Sequence, residues 1–387
     1  MDMASLSQSD ILTIRTNQRE LSGWMFSNVT RSLENFPSTF VISLTEVSPE
    51  QASKAVVIPG ATCEIVLGAD LVLTGYIDAY QPSYSGRFHT VTIHGRSKPQ
   101  DILDGSYRGE NSWHFNAAGS LRSVIEKIIA KTGIQLVTPN GDITVPNALI
   151  DVTPGMTYFN VIEEIARCAQ VLVYDDENGN LVMGNAGNAK AGGSLIESIP
   201  GGRAGNIEAA QANNDVRERF NVIEIVGQNS PLGATTDDVS HFAIQTDKEI
   251  RETRHKLIIL PQNNAVSASQ FAQKYVDWEM NRRIGRSLAA RIVCTGWRSD
   301  DGSLWLPNQL VTVDAPNLKI SRELLITECS WIRGDRGTQS ILTVMDKGAV
   351  QPPPFTPPAA LESTGPGEFQ SSSGISGDSG ARGPGLG

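Results

Sequence analysis

Short runs of β-branched and aromatic residues recur at two widely separated places in this 387-residue chain, each punctuated by turn residues. The first set contains Thr39-Phe40-Val41-Ile42-Ser43-Leu44, Cys63-Glu64-Ile65-Val66-Leu67, Leu71-Val72-Leu73-Thr74-Gly75-Tyr76-Ile77 and His89-Thr90-Val91-Thr92-Ile93. Pro59-Gly60 and the stretch Gln81-Pro82-Ser83-Tyr84-Ser85-Gly86 supply the turns. Such side chains fit a pleated surface, and this spacing indicates an antiparallel barrel or sandwich.

The second set repeats the order of the first. Ala289-Ala290-Arg291-Ile292-Val293-Cys294 stands where Thr39 to Leu44 stood, and Pro307-Asn308-Gln309-Leu310-Val311-Thr312-Val313 can be laid over Pro59 to Val66. Glu323 to Cys329 then corresponds to Leu71 to Ile77, and Gln339 to Val344 to His89 through Ile93. Any two antiparallel β segments share something of this layout, because identities are few and order carries the match. A true repeat has a consequence for symmetry. Two equivalent modules per chain would let three chains form a ring of six quasi-equivalent barrels, able to face a hexamer on one side and a threefold partner on the other.

Between the two sets the hydrophobic period changes. Leu121, Val124, Ile125, Ile128 and Ile129 fall on one helical face, with Ser120 near the start and Gly133 after the end. A second helix follows Pro154-Gly155 with Val161, Ile162, Ile165 and Ala169 on one face, then a hairpin turning at Asp175-Asp176-Glu177-Asn178-Gly179. Gly184 to Gly193 reads as a flexible loop closing this region. A later helix carries Ala268, Phe271, Ala272, Tyr275 and Trp278, with Arg282 and Arg283 in its last turn and Gly285 as its cap.

Formal net charge is −10, a poor balance for neutralising phosphates, so specific nucleic-acid binding is disfavoured. No apolar stretch approaches the ~20 residues that span a bilayer, and the N-terminus lacks the pattern of a secretory signal. Cys63, Cys168, Cys294 and Cys329 are scattered through apolar runs, as buried residues of a chain folded in a reducing cytoplasm would be. The sequon at Asn28-Val29-Thr30 is then a chance match.

No catalytic, cofactor-binding or metal-binding residue is assigned. His89, His94, His114, His241 and His255 form no metal-helix spacing. There is no GxSxG, and the glycines from Gly184 to Gly193 lack both phosphate-binding patterns. Asp175-Asp176-Glu177 lacks the ligand spacing of a calcium loop and reads as a hairpin tip. Glu163-Glu164 reads as a solvated helix face, although paired carboxylates need only proximity in space. Arg282, Arg283 and Arg286 make a basic knot suited to a helix terminus or a subunit contact, and Trp297, Trp305 and Trp331 suit core or interface packing.

Several stretches together resemble the baseplate hub proteins of Mu-like contractile-tailed phages. They are Leu73-Thr74-Gly75-Tyr76-Ile77-Asp78, the run from Val91 to Asp104, Glu218-Arg219-Phe220-Asn221 and the run from Arg282 to Ser287. Gly296-Trp297 and the run from Gly302 to Asn308 complete the resemblance, which reaches about residue 348. It implies a homotrimer in a virion tail baseplate, with the hexameric tail tube on one face, the trimeric central spike on the other, and other baseplate proteins around it. DNA would pass through the lumen, and an acidic lining would keep it from sticking. The alternative from another class is a tail-associated cell-wall hydrolase or glycan-binding β-protein.

The fold expected is α+β and β-rich, with two similar antiparallel barrel domains. The first spans residues 1–98, an α+β domain spans 99–204, and the second barrel is split between 205–230 and 287–348. An inserted segment with a helix occupies 231–286, and a disordered Pro/Gly/Ser-rich tail occupies 349–387.

Overall fold

The computed structural model describes residues 11–45, 57–85, 88–109, 114–145, 149–187, 189–228, 239–260 and 268–354. The part of the expected tail from 355 to 387 lies outside them.

The first β segment comprises β1 (Leu12–Thr16), β2 (Arg19–Leu21), β3 (Phe26–Ser32), β4 (Thr39–Thr45), β5 (Thr62–Leu67), β6 (Asp70–Ser85) and β7 (Phe88–Ser97). Along β5 to β7 side chains alternate between a buried and an open face, which puts Cys63, Ile65, Val91 and Ile93 into one core.

A short helix α1 (Gln100–Asp104) leads into a small α/β unit with its own core. That unit holds β8 (His114–Asn116), β9 (Gly119–Ser120), α2 (Leu121–Ile129), β10 (Leu136–Val137), β11 (Thr144–Val145) and β12 (Leu149–Asp151). Next come α3 (Tyr158–Ala169), β13 (Leu172–Asp175) and β14 (Leu181–Gly184). Ser120 caps α2 by accepting from the Ser123 amide, and Thr157 with Asn160 forms a reciprocal capping box on α3. Leu121, Ile125 and Ile128 from α2 meet Val161, Ile162 and Ile165 from α3.

The residues expected to form a flexible loop after β14 are instead strapped to the second β segment. Within and beyond them, β15 (Ala189–Lys190) and β16 (Leu195–Ile196) run parallel to β22 (Gln309–Ala315). The glycines there serve close approach rather than flexibility: a Cβ on Gly192 would collide with the Asp301 carboxylate. The α/β unit therefore ends near Gly184, not at residue 204.

The second β segment is completed by β17 (Ile207–Asn214), β21 (Leu288–Thr295), β23 (Ile320–Gly334) and β24 (Gly337–Met345). Residues 222–228, expected to belong to this segment, do not. They form β18 (Val222–Gln228), which pairs with β19 (Val239–Thr246) and β20 (His255–Leu260) in a separate three-stranded sheet. The reason is packing. Ile223 and Ile225 bury against Ala272, Val276 and Met280 of α4 (Ala268–Ser287). The insertion thus begins near residue 215 and holds two strands, β19 and β20, besides the expected helix.

The helix α4 also runs past its expected stop. Gly285 lies inside it, where a Cβ would stand 2.5 Å from the Ala349 nitrogen. Gly285 is there so that two backbones can touch, and the cap reading is wrong. The chain it touches is ordered as well. Ala349 and Val350 are buried, and Trp278 Nε1 donates to the Gln351 carbonyl at 2.8 Å, so the tail does not begin at residue 349.

The two β segments are parts of one 14-stranded sheet. Its main path runs β17-β21-β24-β23-β3-β4-β7-β6-β5-β1-β2, with β22 beside β23. The first segment reads β3-β4-β7-β6-β5-β1, and the second reads β17-β21-β24-β23-β22 with β15 and β16 beyond. Over five strands the order is the same, β3-β4-β7-β6-β5 against β17-β21-β24-β23-β22; beyond them β1 runs antiparallel to β5, whereas β15 and β16 run parallel to β22.

Candidate assembly interface

Equivalence between the segments extends to single residues. β6 carries a bulge between Ile77 and Ala79 where it pairs with β7, and β23 carries one between Ile326 and Glu328 where it pairs with β24. Gly95 opposes Ile77 as Val344 opposes Ile326. Aligning the bulges places Leu71 to Ile77 on Ile320 to Ile326. That is three residues from the overlay expected by sequence, which used Glu323 to Cys329, while β7 and β24 need a shift of one. The overlay of Pro59 to Val66 on Pro307 to Val313 agrees with the pairing of β5 with β6 and of β22 with β23.

The segments join where the outer half of β23 meets β3. Glu328 to Arg333 run antiparallel to Ser32 to Ser27. Val29 faces Trp331, both fully buried, and the Thr30 and Ser330 hydroxyls lie 2.8 Å apart on the other face. Trp297 and Trp305 lie in the same core, and Trp297 donates to the Ile332 carbonyl at 3.0 Å.

Two polar locks fasten the α/β unit to this sheet. Asp175, at the end of β13, accepts from the Ser38 amide at 3.3 Å and the Ser38 hydroxyl at 2.9 Å. Arg31 donates to the Asp175 carbonyl at 3.0 Å and reaches Glu177 at 3.3 Å. Burial pushes the Asp175 carboxyl above its ordinary range, opposed by the nearby Arg31 charge. The acidic tip is therefore a docking element. Its sequence showed only a turn, since the partners lie some 140 residues away.

The second lock is Asn308. Its amide nitrogen donates to the Tyr174 hydroxyl at 3.1 Å and the Asn185 carbonyl at 3.0 Å, and its oxygen accepts from the Gly187 amide at 2.7 Å.

The basic knot is neutralised within the chain. Arg283 pairs with Glu279 at 2.6 Å and Glu218 at 2.8 Å, Arg286 with Glu34, and Arg282 with Glu279 at 3.6 Å. Arg282 also sits over the Trp278 ring. The Arg286–Glu34 pair ties the insertion to the first β segment, and the other pairs fasten the insertion internally.

Among the described residues, the remaining sequence candidates lie apart from one another. Among the described residues no group of three His, Cys, Asp or Glu could hold a metal ion. His255 contacts Glu224 at 3.0 Å, and Glu163 lies 3.8 Å from Arg167 on the helix surface. Burial pushes the Cys63 and Cys294 thiols up to about 12, so neither is a ready nucleophile. No helix among the described residues is long and apolar enough to cross a membrane.

What the sheet offers is surface. On the face away from its core lie Asn28, Thr30, Ser43, Thr92, Ser330 and Thr343, with Glu208 and Arg291 toward one end. The same face carries Val41, His94, Ile332 and Ile341 between these polar residues. Beyond Ile77, among the described residues, no strand pairs with β6 on the side away from β7. Past Ile207 the same holds for β17 on the side away from β21.

Known proteins share this arrangement. The model of the N-terminal domain of Mu phage baseplate assembly protein GpP-like proteins matches residues 11–97. The second-domain model of baseplate hub protein gp44-like proteins matches 100–185, and the fourth-domain model of Mu phage baseplate assembly protein GpP matches 268–353. The baseplate hub protein gp44 of Escherichia phage Mu is 26% identical over 341 residues, 85% of each chain. The 43 kDa tail protein of prophage MuSo2 from Shewanella oneidensis superposes with a TM-score of 0.74 at 28% identity, covering 89% of this chain and 100% of that one. A tail protein from Neisseria meningitidis MC58 shares the fold at TM-score 0.71 and 19% identity, over 88% of this chain and 98% of that one.

With the fold and these relatives together, the chain is a structural protein of a phage tail. The chain belongs to the baseplate hub proteins of Mu-like phages, components of the virion's tail baseplate.

Proposed function

We propose that three copies of this chain close into a ring whose six β segments meet the hexameric tail tube on one side. On the other side the threefold arrangement of the smaller units receives the trimeric spike, and DNA passes through the centre. The observation that carries this is the shared order of five strands in the two β segments of one sheet, which gives each chain two similar contributions. A lumen lined by the face that carries Thr30, Ser43, Thr92 and Ser330 would offer phosphates few cationic partners, and counterion release needs Lys and Arg.

The test is the mass of the purified chain in solution by light scattering. The ring predicts three times the 41.7 kDa monomer. A monomer that persists at high protein concentration would overturn the ring and leave the family assignment standing.

A further inference from the structure

Positions Phe26 to Arg31 of β3 and the outer half of β23 have counterparts whose edge, among the described residues, is open. Through the shared pairings of β4 with β21 and β7 with β24, β17 is the counterpart of β3, and Asn213 stands where Thr30 stands. Through the bulges, Ala79 to Ser85 of β6 is the counterpart of Glu328 to Gly334. Within the chain, β3 and β23 satisfy each other. Their counterparts β17 and β6 lie at opposite ends of the path that runs from β17 to β6 and do not pair with each other within the chain.

We propose that β17 of one copy pairs antiparallel with the outer half of β6 of the next, in the register of the internal junction. Gln81 then faces Asn213, Pro82 faces Ala212, Ser83 faces Gln211 and Tyr84 faces Ala210. This rests on the ring proposed above and assigns its seam. The pleat agrees with the assignment. Ala210 and Ala212 lean on the core face, as Ser27 and Val29 do, and Tyr80 packs on that core as Cys329 does. Gln81 and Asn213 take the places of Ser330 and Thr30, whose hydroxyls bond across the internal junction. Tyr84, 85% exposed in the single chain, gains a small partner in Ala210.

Pro82 makes the seam weaker than the junction it copies. Pro82 pairs with Val91 in the β6–β7 ladder, where a proline is tolerated with its missing N–H on the open edge, away from β7. The seam therefore lacks the donor that Trp331 provides inside the chain. A Pro on an edge is a common guard against indiscriminate pairing, and here it leaves the register to the side chains.

The experiment is a cysteine pair in the full chain, Gln81→Cys with Asn213→Cys. Mild oxidation should give covalent dimers and trimers on a non-reducing gel. Each single variant, and the displaced pair Gln81→Cys with Gln211→Cys, should give at least ten times less. A trimer by mass with no preference for the facing pair would overturn the seam and leave the ring. A monomer would overturn both. As a second measurement, Ser83→Asp with Gln211→Asp places like charges opposite each other. It should dissociate the trimer with an unchanged circular dichroism spectrum, and an intact trimer would count against the register.

Discussion

Gly60 and Asn308 occupy the same position in the two β segments, and both adopt a left-handed backbone, with φ of 85° and 66°. Each donates its amide to the residue before a bulge, Gly60 to the Ile77 carbonyl at 2.7 Å and Asn308 to the Ile326 carbonyl at 2.9 Å. Glycine adopts this conformation at no steric cost, and asparagine is among the few other residues that tolerate it. The second segment uses that tolerance to add a side chain, which fastens the α/β unit.

Asn308→Gly should keep the turn and lose the lock. With three hydrogen bonds removed, at about 1 kcal/mol each and partly replaced by water, a loss of roughly 1–3 kcal/mol is expected. Asn308→Ala should cost about 1–2 kcal/mol more through backbone strain. Urea unfolding of both variants checks the order, and equal midpoints would count against it.

Asp175 should make stability depend on pH in a defined sense. Burial raises its carboxyl above the ordinary 3.8. The folded chain therefore holds a proton that the unfolded chain releases in that window. This contribution to stability is fully present below pH 3.8 and is lost as pH rises through the folded value. Asp175→Asn cannot ionise, so the wild-type melting temperature should fall relative to this variant as pH rises from about 4 toward neutrality. Parallel profiles would refute the assignment.

Gly285→Ala tests the contact between α4 and the chain beyond β24. Alanine is the better helix former by ~1 kcal/mol, so an exposed site would be stabilised. Here the added carbon meets the Ala349 backbone, and a net loss of about 1–3 kcal/mol is expected in thermal melts. A raised melting temperature would show that the two backbones yield.

Trp331→Ala should destabilise both β segments together. The side chain is fully buried at their junction, and its removal should cost roughly 3–5 kcal/mol. Because the sheet is continuous there, tryptophan fluorescence and far-UV circular dichroism should report one coincident transition. Two separated transitions would mean that the segments unfold independently.

Much of this architecture was legible because alternation along a strand is local. Cys63 to Leu67 and Ala289 to Cys294 announce themselves, and so does the helical face of Leu121, Ile125 and Ile128. Pairing is not local, so the sequence alone does not determine it. Val222 to Gln228 look like any other strand, and only the apolar face of α4 decides which sheet they join. Gly285 reads as a stop because glycine's two uses, a turn and a close approach, leave the same letter. The docking of Asp175 on Ser38 was invisible for the same reason. The repeat itself showed in order and spacing, but its register needed the bulges at Ile77 and Ile326.

The internal junction also sets a timetable. Thr30 and Ser330 touch across 300 residues of intervening chain. At roughly 5–20 residues per second, a ribosome needs on the order of 15–60 s to supply the second after making the first. Throughout that interval β3 waits without its mate, and long-range pairing is intrinsically slow even once both strands exist. The last strands to emerge are thus the ones that close the first. A chain cut short after β7 would leave the synthesis machinery with β3 still an open edge.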